Sequence, residues 1–265
     1  MKTPIHIRYL QTILLMVVYI SLGFLLKLEA VSYLLLGIPL TLIFQLLIVR
    51  QPLHKLWLRD NKKFHLSKLG WTISLFIITF PIYKTIELAT NDKLTLLNLG
   101  YYSAAILGSF GVGYCYSSFT KKTVKDFLLC FGIILVLRIS LYFFPFIFGQ
   151  NELKPDYLRG IQSLLTYIPI AFVVEEVFFR GMLDTYINQS KETNSFLSAL
   201  FISCIWGLWH LPLSPNFENP ILVILLSMTI SLWGIVLSIF WRRTGNLAVS
   251  GFPHAFADAI RDSVK

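Results

Sequence analysis

Nine runs of apolar residues, most of them close to the length a helix needs to cross a bilayer, divide this chain from end to end: 9–26, 31–49, 69–86, 97–119, 127–148, 161–183, 196–213, 221–241 and 246–260. In lipid every backbone amide and carbonyl must find its partner inside the segment, so runs of this kind fold as helices. Only 14% of the residues are charged and the mean hydropathy is +0.68, against roughly 25% charged residues in a soluble domain. The expected fold is therefore all-α, a polytopic transmembrane helical bundle of eight to nine spans. The ninth run, 246–260, is short and weakly apolar, which sets the range of eight to nine.

The net charge of +9 is not the footprint of a nucleic-acid binder, because the basic residues sit in short loops between the apolar runs. One loop carries Arg50, Lys55, Arg59, Lys62, Lys63 and Lys68, the next Lys121, Lys122 and Lys125, and a third Arg242 and Arg243. The intervening loops are balanced: Lys27 with Glu29, Asp92 with Lys93, and Glu152, Lys154 and Asp156 together. The positive-inside rule puts the basic loops and the N-terminus on the cytoplasmic side of a multi-pass protein of the cell membrane. Lys2 and Arg8 before an apolar run imitate a signal peptide, but the run is too long and lacks an A-x-A site, so it reads as a retained first span. Cys115, Cys130 and Cys204 all fall in apolar runs and read as small packing residues. Gly108, Gly111 and Gly113 suit close helix packing.

Ionisable groups inside apolar runs are costly, on the order of 2.5–3.5 kcal/mol each by insertion scales, and mark functional sites. Glu175 and Glu176 stand side by side within the sixth run. Neighbours on a helix differ by about 100° in direction, so the two carboxylates face different sectors. Glu176 and Arg180 are four apart and can pair, which leaves Glu175 as the candidate base. Two further runs each carry a histidine, His210 four residues after Trp206, and His254 four residues before Asp258. Pro212 and Pro215 end the helix near His210. Arg138, inside the fifth run, either snorkels or serves as a buried counter-charge.

Taken in order, Glu175-Glu176-x-x-x-Arg180, Trp206-x-x-x-His210 and His254-x-x-x-Asp258 resemble the three motifs of the CPBP family of intramembrane proteases. That family joins the type II CAAX prenyl endopeptidases to bacterial proteins of bacteriocin processing and self-immunity. Gly181 and the Thr244-Gly245-Asn246-Leu247 approach to His254 are similar to the family pattern as well. The resemblance divides the chain into variable N-terminal transmembrane helices, 1–160, and a CPBP-like catalytic core, 161–265. It implies an endopeptidase acting on a peptide or protein in or at the membrane, with the lipid bilayer as its other partner and no nucleic acid. Glu175 and His210 would activate water, and His254 with its motif partner Asp258 would stabilise the oxyanion. Glu176 and Arg180 would brace the site.

Two positions depart from that pattern. Trp206 stands where Phe is common, and Asp258 where the prenyl-protein branch often has Asn. An ionised Asp cannot donate to an oxyanion, so Asp258 either orients His254 or acts protonated. The cofactor is either absent or Zn2+; in the second case Glu175, His210 and His254 would ligate it, with a fourth position left for water. A non-catalytic immunity or interaction protein of the same fold is the alternative reading. A proton-coupled transporter using Glu175, Glu176 and Arg138 is disfavoured by the absence of repeat symmetry. With these run boundaries Glu175 and His210 differ in depth by about 12 Å, a mismatch the fold must remove.

Overall fold

The apolar runs become helices whose ends are set by short polar side chains. The Ser67 hydroxyl accepts from the Gly70 amide at 3.1 Å, the Thr95 hydroxyl from Asn98 at 3.1 Å, and the Asp156 carboxylate from Arg159 at 3.0 Å, satisfying amides that a helix start leaves bare. A computed structural model of the chain describes residues 3–59, 63–147, 155–188, 195–213 and 220–264. Lys62, Glu152, Lys154 and Pro215 lie outside the described residues. The helices are α1 (Ile5–Leu25), α2 (Ala30–Ile43), α3 (Lys68–Thr90), α4 (Leu96–Ser117), α5 (Lys121–Ile147), α6 (Tyr157–Val173), α7 (Thr185–Ile187), α8 (Ser195–Trp209), α9 (Pro220–Thr244) and α10 (Ala248–Ser263). The backbone widens to i→i+5 hydrogen bonding over Phe44–Val49 and over Val177–Asp184.

The fold is all-helical; among the described residues the chain forms no strand, only isolated bridges of Leu58 with Asn246 and Pro155 with Val264. Among those residues four helices are long and apolar enough to cross a membrane: Ile5–Leu25, Ala30–Val49, Lys68–Thr90 and Phe196–Leu213. Apolar side chains cover the outside of these helices, Leu14, Leu47 and Phe76 among them, as suits a surface that faces lipid rather than water.

α8 packs on α9, α3 on α4, and α10 on α6 and α5. The glycines expected at close crossings each meet a different neighbour. A Cβ on Gly113 would collide with the Gly70 backbone and the Ser74 hydroxyl of α3, one on Gly108 with the Pro169 backbone of α6, and one on Gly111 with the Trp57 indole. The turn from α9 into α10 needs Gly245, whose φ is +64°. Asn246 then ties that turn to the end of α4: its amide donates to the Cys115 carbonyl at 2.8 Å and the Ser118 hydroxyl at 2.9 Å, and its oxygen accepts from Ala248 at 3.0 Å. The start of α10 is thus fixed before the chain reaches His254.

Because backbone, not a flexible tip, opposes Gly113, Gly113→Ala is expected to push α3 from α4 and destabilise the protein by about 1–3 kcal/mol. Unfolding in mild detergent measures it, and an unchanged midpoint contradicts the packing described.

Candidate active site

The helix that carries the two glutamates is irregular where they lie. Regular α-helix ends at Val173, Glu175 and Glu176 follow after a turn at Val174, and the widened stretch begins at Val177. Such widened turns recur at functional sites, since they re-aim side chains without ending the helix. The helical path continues to Ile187 rather than stopping at 183. Glu175 then stands about 18 Å from that end, and His210 about 22 Å from the start of α8. The longer helix removes most of the depth mismatch, and the side chains meet.

Glu176 points into the protein and is sealed. Its Oε1 accepts from His254 Nδ1 at 3.0 Å and lies 3.3 Å from Arg180 Nη1, with Glu176 and Arg180 both at 0% exposure. The Arg180 guanidinium in turn lies over the Trp206 ring at 4.3 Å and donates from Nη2 to the Gly234 carbonyl at 3.5 Å. The pairing expected from the i,i+4 spacing is therefore present, with His254 as a third member.

Glu175 points the other way, toward a cavity of about 460 Å³ that it lines with His210, His254, Asp258 and Arg138. Its Oε2 accepts from Trp206 Nε1 at 3.1 Å. The same oxygen stands 4.0 Å from His210 Nε2 and 3.7 Å from His254 Nε2. His210 Nδ1 faces the Trp206 carbonyl at 2.8 Å. A carbonyl only accepts, so that nitrogen carries the proton and Nε2 presents its lone pair to Glu175. A separation of 4.0 Å is too long for a direct hydrogen bond and right for one water touching both atoms.

α10 is helical through His254 and Asp258, so the two share a face as their spacing predicts. Asp258 Oδ2 lies 3.5 Å from His254 Nε2, and Oδ1 accepts from Arg261 Nη1 at 2.9 Å. Arg261 is held further by Tyr167 and Asp262. Arg138 lines the cavity and stacks over Trp233 at 5.0 Å, so it faces the site rather than snorkelling away from it. Among the described residues, Glu175, His254 and Asp258 form the group whose ligand atoms lie within 4.8 Å of one another. Two carboxylates and an imidazole suit a divalent cation by donor type; this set replaces His210 with Asp258 relative to the expected one.

The seven residues of the three motifs, Glu175, Glu176, Arg180, Trp206, His210, His254 and Asp258, meet in one cluster. What spacing did not reveal is the polar contact of Trp206. Its indole donates to Glu175, which a Phe in that place cannot do, and the departure from Phe was the available signal. Tyr33 is also unannounced by any motif; its hydroxyl donates to the Trp209 carbonyl at 3.0 Å and steadies the end of α8 just before His210.

Removing one partner of a buried ion pair leaves the other charge uncompensated, a loss of about 3–5 kcal/mol. Glu176→Ala is accordingly expected to lower unfolding stability by that amount, whereas Glu175→Gln, which keeps an acceptor for Trp206, changes it by less than about 1 kcal/mol. Chemical denaturation of both variants measures the contrast, and equal losses contradict the sealed and open arrangement.

The cluster falls in a segment that comparison recognises. Residues 158–260 match the family described as type II CAAX prenyl endopeptidase Rce1-like. No curated protein and no solved structure matches the chain.

Proposed function

We propose that the protein is an integral-membrane endopeptidase of the CPBP kind that hydrolyses a peptide bond of a peptide or protein at the membrane, through Glu175, His210 and His254; the match of residues 158–260 to the Rce1-like family supports the reading. The observation that carries the reading is the pair of basic atoms, Glu175 Oε2 and His210 Nε2, 4.0 Å apart at the wall of the cavity. A water between them gives up its proton to this pair as its oxygen attacks the scissile carbonyl. The tetrahedral oxyanion then needs a donor. His254 supplies it from Nε2 as an imidazolium, with Nδ1 held by Glu176. Glu175, Glu176 and Asp258 surround that ring with the complementary charge. Collapse of the intermediate breaks the C–N bond, and the proton taken from water passes to the leaving amine.

Asp258 acts in this scheme by orienting and balancing His254, not as an oxyanion donor, which its pairing to Arg261 supports. A divalent cation held by Glu175, His254 and Asp258 would supply Lewis acidity at the same place; the steps above use the side chains alone. Leucine, isoleucine, tyrosine and tryptophan walls beside the polar cluster suit an apolar substrate segment. The long helices α4, α5 and α9, and α6 with its continuation to Ile187, complete eight crossings with the four candidate spans, which keeps the basic loops and the N-terminus on the cytoplasmic face.

General acid–base groups contribute about 10²–10⁴-fold to rate. Membranes containing wild-type protein are expected to yield peptide products, read by mass spectrometry, that fall by that factor with Glu175→Gln and with His210→Ala while both variants stay folded. Products that persist with both variants overturn the catalytic reading. A cell phenotype kept by both variants without any products favours the non-catalytic immunity role.

A further inference from the structure

Three loops that the sequence marks as basic come together in space. Arg59 follows the turn Leu53–Leu56, Lys122 lies in the first turn of α5, and Arg242 and Arg243 lie at the end of α9; all four line one cavity of about 560 Å³. It shares no lining residue with the cavity of Glu175 and His254. Two carboxylates answer this charge: Asp126 stands 2.9 Å from Arg243 Nε, and Asp184 stands 2.6 Å from Arg242 Nε. Four cations less these two carboxylates leaves a surplus of two, and among the described residues Arg59 and Lys122 form no ion pair of their own.

Arg59 is held in place for a ligand rather than used up in a bridge. Its Nε donates to the Thr185 hydroxyl at 3.3 Å and its guanidinium stacks over Trp241 at 5.0 Å. Its Nη2 is buried and meets no acceptor among the described residues, a costly state for a charged donor. Ser118 at the end of α4, and Thr120 and Thr123 at the amino end of α5, whose hydroxyls bond each other at 2.9 Å, line the same cavity, where a helix start favours anions. A planar guanidinium fork beside a lysine and hydroxyls is the chemistry that recognises phosphate. The cavity opens where α4 and α9 end and α5 begins, the level at which basic pockets between membrane helices take lipid headgroups.

We propose that this basic cavity binds a phosphate-bearing anion, an anionic phospholipid headgroup or a free phosphate compound, through Arg59 and Lys122. The proposal is independent of the peptidase reading, because the site and its residues are separate.

The test is thermal unfolding of the full-length protein in a zwitterionic detergent, titrated in parallel with short-chain phosphatidylglycerol, inorganic phosphate, phosphatidylcholine and chloride at matched ionic strength. Saturable stabilisation is expected from phosphatidylglycerol or from phosphate, and none from phosphatidylcholine or chloride. Saturation by phosphate as tight as by the lipid assigns a free phosphate compound; saturation by the lipid alone assigns a headgroup. At about fivefold per basic group near the membrane surface, Arg59→Gln with Lys122→Gln weakens half-saturation about thirtyfold, and Arg59→Lys restores most of the Arg59 share. The exposed Lys122→Gln alone, which disturbs no packing, is expected to weaken it about fivefold. Absence of a saturable response to both probes, or one that Lys122→Gln and the double variant leave unchanged, overturns the proposal.

Discussion

A carboxylate with no exposed surface, Glu176, holds the C-terminal half of this protein together. Burying a single charge costs several kcal/mol, and the cost is offset only where partners of opposite charge and good geometry are in place. Glu176 finds both: Arg180 one turn along its own helix and His254 from α10. Arg180 then stacks on Trp206 of α8. One buried charge therefore demands that three segments distant in the chain meet at a single point. The close passage of α10 along α6, the Gly245 turn and the Asn246 tie to α4 all serve that meeting.

From the same point the chemistry divides. Glu176 and Arg180 are closed off, while Glu175, His210 and Asp258 open into the cavity with side-chain exposures of 16%, 23% and 18%. Trp206 joins the halves, its face under Arg180 and its indole proton on Glu175. Its own carbonyl sets the tautomer of His210. A polar cluster in an apolar protein keeps its geometry only when each reactive group is held by another; here Trp206 and Glu176, which hold Glu175, His210 and His254, are themselves buried, while Arg261 holds Asp258 from the exposed side.

Much of this was legible in the sequence, and the limits are physical. Interactions within one helix follow from spacing, so the Glu176–Arg180 pair and the shared face of His254 and Asp258 could be read directly. Contacts between helices could not. The Glu176–His254 bond joins residues 78 apart in the chain, and nothing in either motif sets the packing of α10 against the glutamate helix. The depth mismatch between Glu175 and His210 came from ending a helix at the limit of its apolar run, while hydrogen bonding carries it on to Ile187. The basic loops were readable as lying on one side of the membrane, but their convergence into one cavity depends on how the ends of α4 and α9 meet the start of α5.

The central claim is that Glu175 and His210 act as a unit on one water. A double-mutant cycle of cleavage rates tests it most directly, using a substrate identified from the wild-type products and the variants Glu175→Gln, His210→Ala and both together. Groups that act as a unit are strongly non-additive, so the account predicts that the double variant is no slower than the slower single variant, within about threefold. Rate losses that multiply, the double variant falling by the product of the two single losses, would contradict it.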